Sequence, residues 1–128
     1  ALIFPGGFGV AKNLCSYAFK GPDCDVQPQV AKVLRDALSK CKPIGALCIS
    51  PVLLAKIISN VTITVGPDEA DAANVRAMGA THIATQHGDV VYDEKHRLFS
   101  TPCYQLESNL VQIAEDADSI VKEMLKRI

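Results

Sequence analysis

The sequence predicts an α/β domain with a mostly parallel sheet. Short apolar runs of strand length alternate with segments of helical periodicity, which is the pattern of a parallel sheet covered by helices. A chain of 128 residues, of which 48% are apolar, is long enough to bury a core of its own. The chain contains no linker-like segment and no internal repeat, so we expect residues 1–128 to form one domain.

The first half of the chain contains two predicted strands and the helices that follow them. Residues 1–4 form an apolar run typical of a buried strand, and a short helix is expected near residues 11–17. Pro28 suits the first turn of the next helix. The buried stripe predicted for this helix consists of Val30, Val33, Leu34, Ala37 and Leu38. Residues 44–47 form the second strand, and Pro51 marks the start of the helix after it.

The second half continues the alternation with shorter strands and ends in a long helix. Residues 61–65 alternate like a strand, and residues 67–78 predict a helix with acidic residues at its start. Three short strands are expected at residues 81–85, 90–92 and 98–101. A long amphipathic helix is predicted from about Leu106. Its apolar stripe consists of Leu110, Ile113, Ala117, Ile120, Val121, Met124 and Leu125.

Composition argues against several classes of function. The chain has 13 basic and 14 acidic side chains, so no basic surface for nucleic acid is predicted. No apolar run reaches the roughly 18 residues of a membrane span. The run Gly6-Gly7-Phe8-Gly9 does not match the dinucleotide fingerprint, and the cysteine spacing suits no structural zinc site, so we expect no cofactor and no metal. Five cysteines without a C-x-x-C motif favour a reducing, intracellular compartment.

The chain begins with Ala1, directly in a predicted strand. A strand at a terminus needs a neighbour with which to pair. We therefore expect an upstream segment of the fold and interpret residues 1–128 as the C-terminal part of a longer domain.

Cys48 is the clearest candidate for a reactive residue. It stands where the strand at residues 44–47 meets the helix that starts at Pro51, and the flanking residues Ala46 and Ser50 are small. A nucleophile elbow requires this pattern, because larger side chains collide in so tight a turn. A helix N-terminus beside the sulfur also favours the thiolate. The alternative is that Cys48 is a small buried apolar residue, the commonest role of a free cysteine.

Backbone donors and a base for such a thiol are also present. The N–H of Ile49 follows the elbow, where an oxyanion hole takes its first donor. The Gly6-Gly7 loop follows a strand, at the edge where open α/β sheets bind ligands. The candidate bases are His82, His87 and His96, and an ordinary surface position is the alternative for each.

Several segments of the chain are similar to one known family. Residues 1–14 (ALIFPGGFGVAKNL) and 42–51 (KPIGALCISP) resemble ElbB-type proteins, and the similarity runs through the whole chain in order. Further matches are MGATH at residues 78–82 and STPCY at residues 100–104. On these motifs the chain resembles the PfpI-like, class I glutamine-amidotransferase-like superfamily, which includes the parkinsonism-associated deglycase.

This resemblance implies a flavodoxin-like three-layer sandwich, usually in a homodimer. By position, Cys48 matches the reactive cysteine, Gly7 and Ile49 match the backbone donors around it, and His82 matches the histidine near the thiol. The family places an acidic partner of the cysteine early in the fold. No Asp or Glu of this chain matches that position.

The function implied by the resemblance is that of a cofactor-independent, glyoxalase- or deglycase-like lyase acting on small reactive dicarbonyls. The expected reaction is of the type that converts glyoxal to glycolate, in the cytosol or the mitochondrial matrix. Two alternatives stay open. One is a redox-sensing or interaction protein with an oxidisable elbow cysteine. The other is a glutaminase subunit, for which His87-Gly88-Asp89 offers the required spacing of a histidine and an acid.

Overall fold

The chain forms a four-stranded sheet, a separate pair of parallel strands and five α-helices. The computed structural model describes residues 1–128. The strands are β1 (Leu2–Phe4), β2 (Ile44–Leu47), β3 (Thr62–Ile63), β4 (Thr81–His82), β5 (Val91–Asp93) and β6 (Leu98–Thr101). The helices are α1 (Tyr17–Lys20), α2 (Pro28–Ser39), α3 (Pro51–Ile57), α4 (Glu69–Ala77) and α5 (Leu110–Lys126). A π-helical turn at Val10–Leu14 and 3-10 turns at Gly21–Asp23 and Cys103–Gln105 complete the chain.

The main sheet has the strand order β1-β2-β6-β5, and only β5 runs antiparallel to its neighbour. Phe4 lies opposite Ala46, and Leu47 lies opposite Thr101. The strands β1, β2 and β6 therefore end at the same edge of the sheet, and the loops that follow them emerge together. The mostly parallel α/β architecture predicted from the sequence is confirmed.

The pair of β3 and β4 is linked to the main sheet by side chains. Asp93 of β5 accepts a hydrogen bond from the backbone N–H of Thr62 at 2.8 Å. The Ser100 hydroxyl of β6 accepts one from the N–H of Thr64 at 3.0 Å. Asp93 and Ser100 are both buried, so these bonds satisfy polar groups that would otherwise be costly in the core.

Helix α5 packs closely against β2 and β6. A Cβ atom added at Gly45 of β2 would lie only 2.7 Å from the Met124 sulfur. The absence of a side chain at Gly45 thus lets α5 approach the sheet, and Ile120 and Met124 are almost fully buried there. The helices α2 and α3 pack against each other, as do α3 and α4. None of the helices combines the length and the apolarity needed to cross a membrane.

Two helices differ clearly from the sequence prediction, whereas the helix predicted at residues 67–78 is only shorter, at Glu69–Ala77. The segment near residues 11–17 is a π-helical turn followed by the short helix α1, rather than one helix. The last helix begins at Leu110 instead of Leu106. Asn109 sets this start, because its side chain accepts a hydrogen bond from the Gln112 N–H at 2.9 Å while the Gln112 side chain accepts from the Asn109 N–H at 3.0 Å.

The predicted apolar stripes were partly wrong. Val33 of α2 and Leu110 of α5 are 49% and 80% exposed, although both were expected to be buried. The fully buried residues of α5 include Asp116, which the apolar pattern could not identify. Its carboxylate has a partner from a distant loop, described below, and that partner makes its burial tolerable.

The contrast between neighbouring residues of α2 gives a direct test of the core. Leu34 is 0% exposed and Val33 is 49% exposed. We expect Leu34→Ala to lower the free energy of unfolding by about 2–5 kcal/mol, because it leaves a cavity. Val33→Ala, the matched control, should change it by less than about 1 kcal/mol. Urea denaturation measures both, and equal effects would contradict the described burial.

Candidate active site

The structure places Cys48 at the predicted junction between β2 and α3. Its φ angle is +63°, a left-handed conformation that is rare outside glycine and costs about 1–3 kcal/mol. The surrounding hydrogen bonds hold this conformation. The Cys48 N–H donates to the Thr101 carbonyl at the end of β6 (3.0 Å), and the Ser50 N–H donates to the Leu47 carbonyl (3.1 Å). The chain therefore turns sharply at the sulfur-bearing residue.

The loop after β1 packs directly on this elbow. A Cβ atom added at Gly6 would lie 2.7 Å from both the Cys48 Cβ and the Leu47 carbonyl oxygen. Position 6 therefore requires glycine, because a side chain would collide with the elbow and because the φ angle there is +99°. Gly7 has a similar φ angle of +97°. The N–H groups of Gly7 and Ile49 donate to no other protein atom.

The loop after β6 brings a polar side chain to the sulfur. The Gln105 Nε2 donates to the Cys48 Sγ over 3.3 Å. Gln105 ends the 3-10 turn Cys103–Gln105, in which Cys103 has a φ angle of +48°. Sequence reasoning missed Gln105, although the segment just before it, residues 100–104, carried part of the family resemblance.

Cys48 opens onto a cavity of about 240 Å³. The cavity is lined by Phe8, Ala11, Tyr17, Ala18, Cys48, Ile49, Asp71 and Gln105. Most of the lining is apolar, and its polar groups are the thiol, the Gln105 amide, the Tyr17 phenol and the Asp71 carboxylate. Cys48 is 6% exposed, so the sulfur lies at the base of this cavity rather than on the open surface. The arrangement suits a small molecule with one reactive centre.

Tyr17 and Asp71 form a hydrogen-bonded pair in the cavity wall. The Tyr17 hydroxyl donates to Asp71 Oδ1 and accepts from Asn74 Nδ2 at 3.0 Å. Burial and the neighbouring carboxylate both raise the pKa of Tyr17, so its hydroxyl remains a hydrogen-bond donor at neutral pH. Neither residue was a sequence candidate. They come from α1 and α4, and no local motif signals that these helices meet at the thiol.

His82 lies on β4, in the separate pair of strands. Burial, followed by the charge of Arg76, lowers the pKa of its imidazole, which is therefore neutral at pH 7. Its Nε2 atom is buried and has no hydrogen-bond partner. No hydrogen bond joins His82 to Cys48, whose sulfur accepts from Gln105 instead, and His82 is absent from the cavity lining. Its role near the thiol stays a prediction.

His87 pairs with an acid from α5 rather than with the nearby Asp89. Its Nδ1 lies 2.9 Å from Asp116 Oδ2, and its Nε2 lies 2.9 Å from the Ser108 hydroxyl. Asp89 instead accepts from the Gln86 N–H at 2.9 Å. His87 and Asp89 thus do not form the histidine–acid pair that a glutaminase would need. His87 also makes no hydrogen bond to Cys48, so its contacts indicate a structural role.

His96, three residues after the end of β5, is hydrogen-bonded to Asp93. Its Nδ1 lies 3.0 Å from Asp93 Oδ2, the same carboxylate that anchors β3. This histidine therefore belongs to the link between the two groups of strands and not to the thiol cavity.

Comparison with known proteins shows clear relatives. No family model matches the chain. The rat protein named "ES1 protein homolog, mitochondrial" is 38% identical over 98% of the chain, and the human "Glutamine amidotransferase-like class 1 domain-containing protein 3, mitochondrial" is 36% identical over 98%. These alignments cover 51% and 50% of the two relatives, so the chain spans about half of their length.

Solved structures with the same fold include two informative neighbours. An isoprenoid biosynthesis protein with an amidotransferase-like domain from Ehrlichia chaffeensis is 30% identical, with a TM-score of 0.84 over 98% of this chain and 58% of its own. Drosophila melanogaster DJ-1beta is 19% identical, with a TM-score of 0.56 over 98% of this chain and 61% of its own, which shows a shared fold alone.

The fold, the elbow at Cys48 and these relatives together show to which superfamily of proteins the chain belongs. The chain belongs to the class I glutamine-amidotransferase-like superfamily, and it shares its fold with DJ-1beta. The flavodoxin-like architecture implied by the resemblance is confirmed by the solved structures.

The hydrogen bond from Gln105 to the sulfur gives a prediction on reactivity. We expect Gln105→Leu to slow alkylation of Cys48 by iodoacetamide up to about fivefold, because the thiolate, which is the reacting form, loses a stabilising hydrogen bond of about 1 kcal/mol. Quantitative peptide mass spectrometry measures the rate at Cys48. Gln86→Leu, at an exposed position, is the matched control and should leave the rate unchanged. An equal rate in both variants would show that Gln105 does not assist the thiol.

The pair of His87 and Asp116 gives a prediction on stability. The hydrogen bond to Asp116 raises the pKa of His87 above its ordinary value of 6.5. The resulting stabilisation is complete below pH 6.5 and is lost as the pH rises through the folded-state pKa. We expect the difference in urea midpoint between the parent chain and His87→Gln to be largest near pH 6 and to shrink towards pH 9. A pH-independent difference would contradict this.

Proposed function

We propose that this chain carries the thiol site of a cofactor-independent, glyoxalase- or deglycase-like lyase that acts on small reactive dicarbonyls. The observation that carries the proposal is the strained elbow, where Cys48 opens onto a small cavity and receives the Gln105 hydrogen bond. Strain at a non-glycine residue is typical of functional sites. Membership of the class I glutamine-amidotransferase-like superfamily and the fold shared with DJ-1beta also support it, whereas the particular substrate is part of the proposal.

The first step of the proposed reaction is attack of the Cys48 thiolate on one aldehyde carbonyl. A carbon–sulfur bond forms, and the carbonyl oxygen becomes the oxyanion of a hemithioacetal. The N–H groups of Gly7 and Ile49 have no protein acceptor and lie in the two segments that meet at the elbow. We assign them to bind this oxyanion, which an oxyanion hole stabilises as charge develops.

The second step is an internal redox reaction. A base removes the proton from the carbon bonded to sulfur, and an enediol forms. Protonation of the neighbouring carbon gives a 2-hydroxy thioester, so one carbon is oxidised and the other reduced. Water then cleaves the carbon–sulfur bond, which releases glycolate from glyoxal and restores the thiol. The proposed base is either His82, neutral at pH 7 and with an unpaired Nε2, or the acidic partner of the cysteine that the family places early in the fold.

A redox-sensing role of the elbow thiol is the second candidate, and the opening of Cys48 onto the cavity is the observation that favours it, because a small oxidant can reach the sulfur there. Mild peroxide followed by peptide mapping tests this role. Selective oxidation of Cys48 without turnover of glyoxal would favour sensing over catalysis.

We further propose that the protein acts as a homodimer in the mitochondrial matrix. The rat and human relatives carry the word mitochondrial in their names. The homodimer is implied by the superfamily resemblance. Sedimentation of the purified protein and imaging of the tagged protein in its own cells test the two parts separately.

Replacement of Cys48 is the decisive test of the lyase. We expect Cys48→Ser and Cys48→Ala to abolish production of glycolate from glyoxal, because no other thiol lines the cavity. Cys41→Ser is the matched control, since Cys41 is exposed and precedes β2 whereas Cys48 follows it. Glycolate is measured by chromatography. Unchanged glycolate production without the Cys48 thiol would eliminate the proposed mechanism.

A further inference from the structure

The wall of the thiol cavity carries one carboxylate, that of Asp71. Asp71 lies in the first turn of α4 and shares the lining with Cys48. Its Oδ1 accepts the Tyr17 hydroxyl, which in turn accepts the Asn74 amide. The carboxylate is thus held in place by a second lining residue instead of turning freely into solvent.

No basic side chain offsets this charge within the cavity. The other lining residues carry only apolar groups, a thiol, a phenol and an amide. Arg76, on the same helix, pairs with Glu69 at 2.7 Å. Lys12 stacks over the Phe8 ring, with its ammonium 5.4 Å from the ring centroid, and is not part of the lining. A charge in a mostly apolar cavity is weakly screened, so the Asp71 carboxylate should strongly repel an anionic ligand or reagent that enters the cavity.

We propose that Asp71 is a specificity-determining residue that keeps carboxylate-bearing molecules away from Cys48. The cavity would then accept neutral carbonyl compounds, such as dialdehydes and ketoaldehydes, and reject 2-oxo acids. This substrate preference rests on the proposed function. The exclusion of anions from the sulfur is a property of the cavity and can be measured without any turnover.

Two alkylating reagents that differ in charge provide the test. Iodoacetamide is neutral and iodoacetate is an anion, and in both the sulfur attacks the methylene carbon while iodide leaves. The ratio of the iodoacetate rate to the iodoacetamide rate at Cys48 cancels changes in the thiolate fraction, because both reactions use the same thiolate. We expect Asp71→Asn to raise this ratio roughly three- to tenfold, the effect of removing one unit charge several ångströms away.

The chain offers a matched control variant and an internal reference. Asp118→Asn removes one negative charge from the exposed face of α5 and should leave the ratio at Cys48 unchanged. Cys41 is exposed between Lys40 and Lys42, and it lines a separate hollow together with Lys95 and Arg97. Because cations surround it, iodoacetate should be favoured at Cys41, and Asp71→Asn should not change its ratio.

Salt dependence of the parent chain gives a second measurement that needs no variant. From about 0.01 to 1 M ionic strength the screening length falls from about 30 to about 3 Å. We expect the ratio at Cys48 to rise over this range and the ratio at Cys41 to fall. Asp71→Asn keeps a side-chain oxygen that can accept the Tyr17 hydroxyl hydrogen bond, so the variant should fold, and thermal unfolding checks this.

The outcomes separate this inference from the proposed function. An unchanged ratio at Cys48 in folded Asp71→Asn, or a salt response of the same sign at Cys48 and Cys41, would overturn the role of Asp71. A raised ratio supports it, with or without turnover. If the ratio rises but the protein makes no glycolate from glyoxal, the lyase fails while the anion exclusion stands. If turnover of glyoxal is present, Asp71→Asn should also lower the inhibition constant of glyoxylate, an anion whose aldehyde can react with the thiol but which has no second aldehyde or ketone carbonyl to complete the reaction.

Discussion

The close packing of Gly6 against the Cys48 elbow is the constraint on which the rest of the site depends. The parallel register of β1 and β2 brings the two loops to one edge, and the missing side chain at Gly6 lets them touch. The hydrogen bond from Cys48 to Thr101 adds the end of β6. Any side chain at Gly6 would push the β1 loop away and take with it the free N–H of Gly7.

The cavity combines a residue in a strained backbone conformation with few polar groups. The polar side chains of its lining are hydrogen-bonded to one another in pairs. Gln105 bonds the sulfur, and Tyr17 bonds Asp71. A buried polar atom without a hydrogen-bond partner costs about 1–3 kcal/mol, and His82 Nε2, outside the cavity lining, is such an atom.

Other polar residues hold the architecture and leave the chemistry to Cys48. Asp116 joins α5 to the loop that carries His87, and Asp93 joins β5 to β3. Both carboxylates are buried, which is tolerable because each accepts several hydrogen bonds. The spacing of His87 and Asp89 suggested a glutaminase, but His87 pairs with Asp116 instead, in a contact that holds the fold.

The strands at residues 44–47 and 98–101 and the elbow at Cys48 followed from the sequence alone, because apolar runs, small residues and Pro51 are local signals. The sequence could not identify Gln105, Tyr17 and Asp71 as neighbours of the thiol. They come from three separate elements, and only the sheet register and helix packing bring them together. The burial of Asp116 was equally hidden, since its partner His87 lies 29 positions away in the chain. Local patterns fix which segments become strands and helices, whereas a cavity is formed by side chains whose proximity only tertiary packing decides.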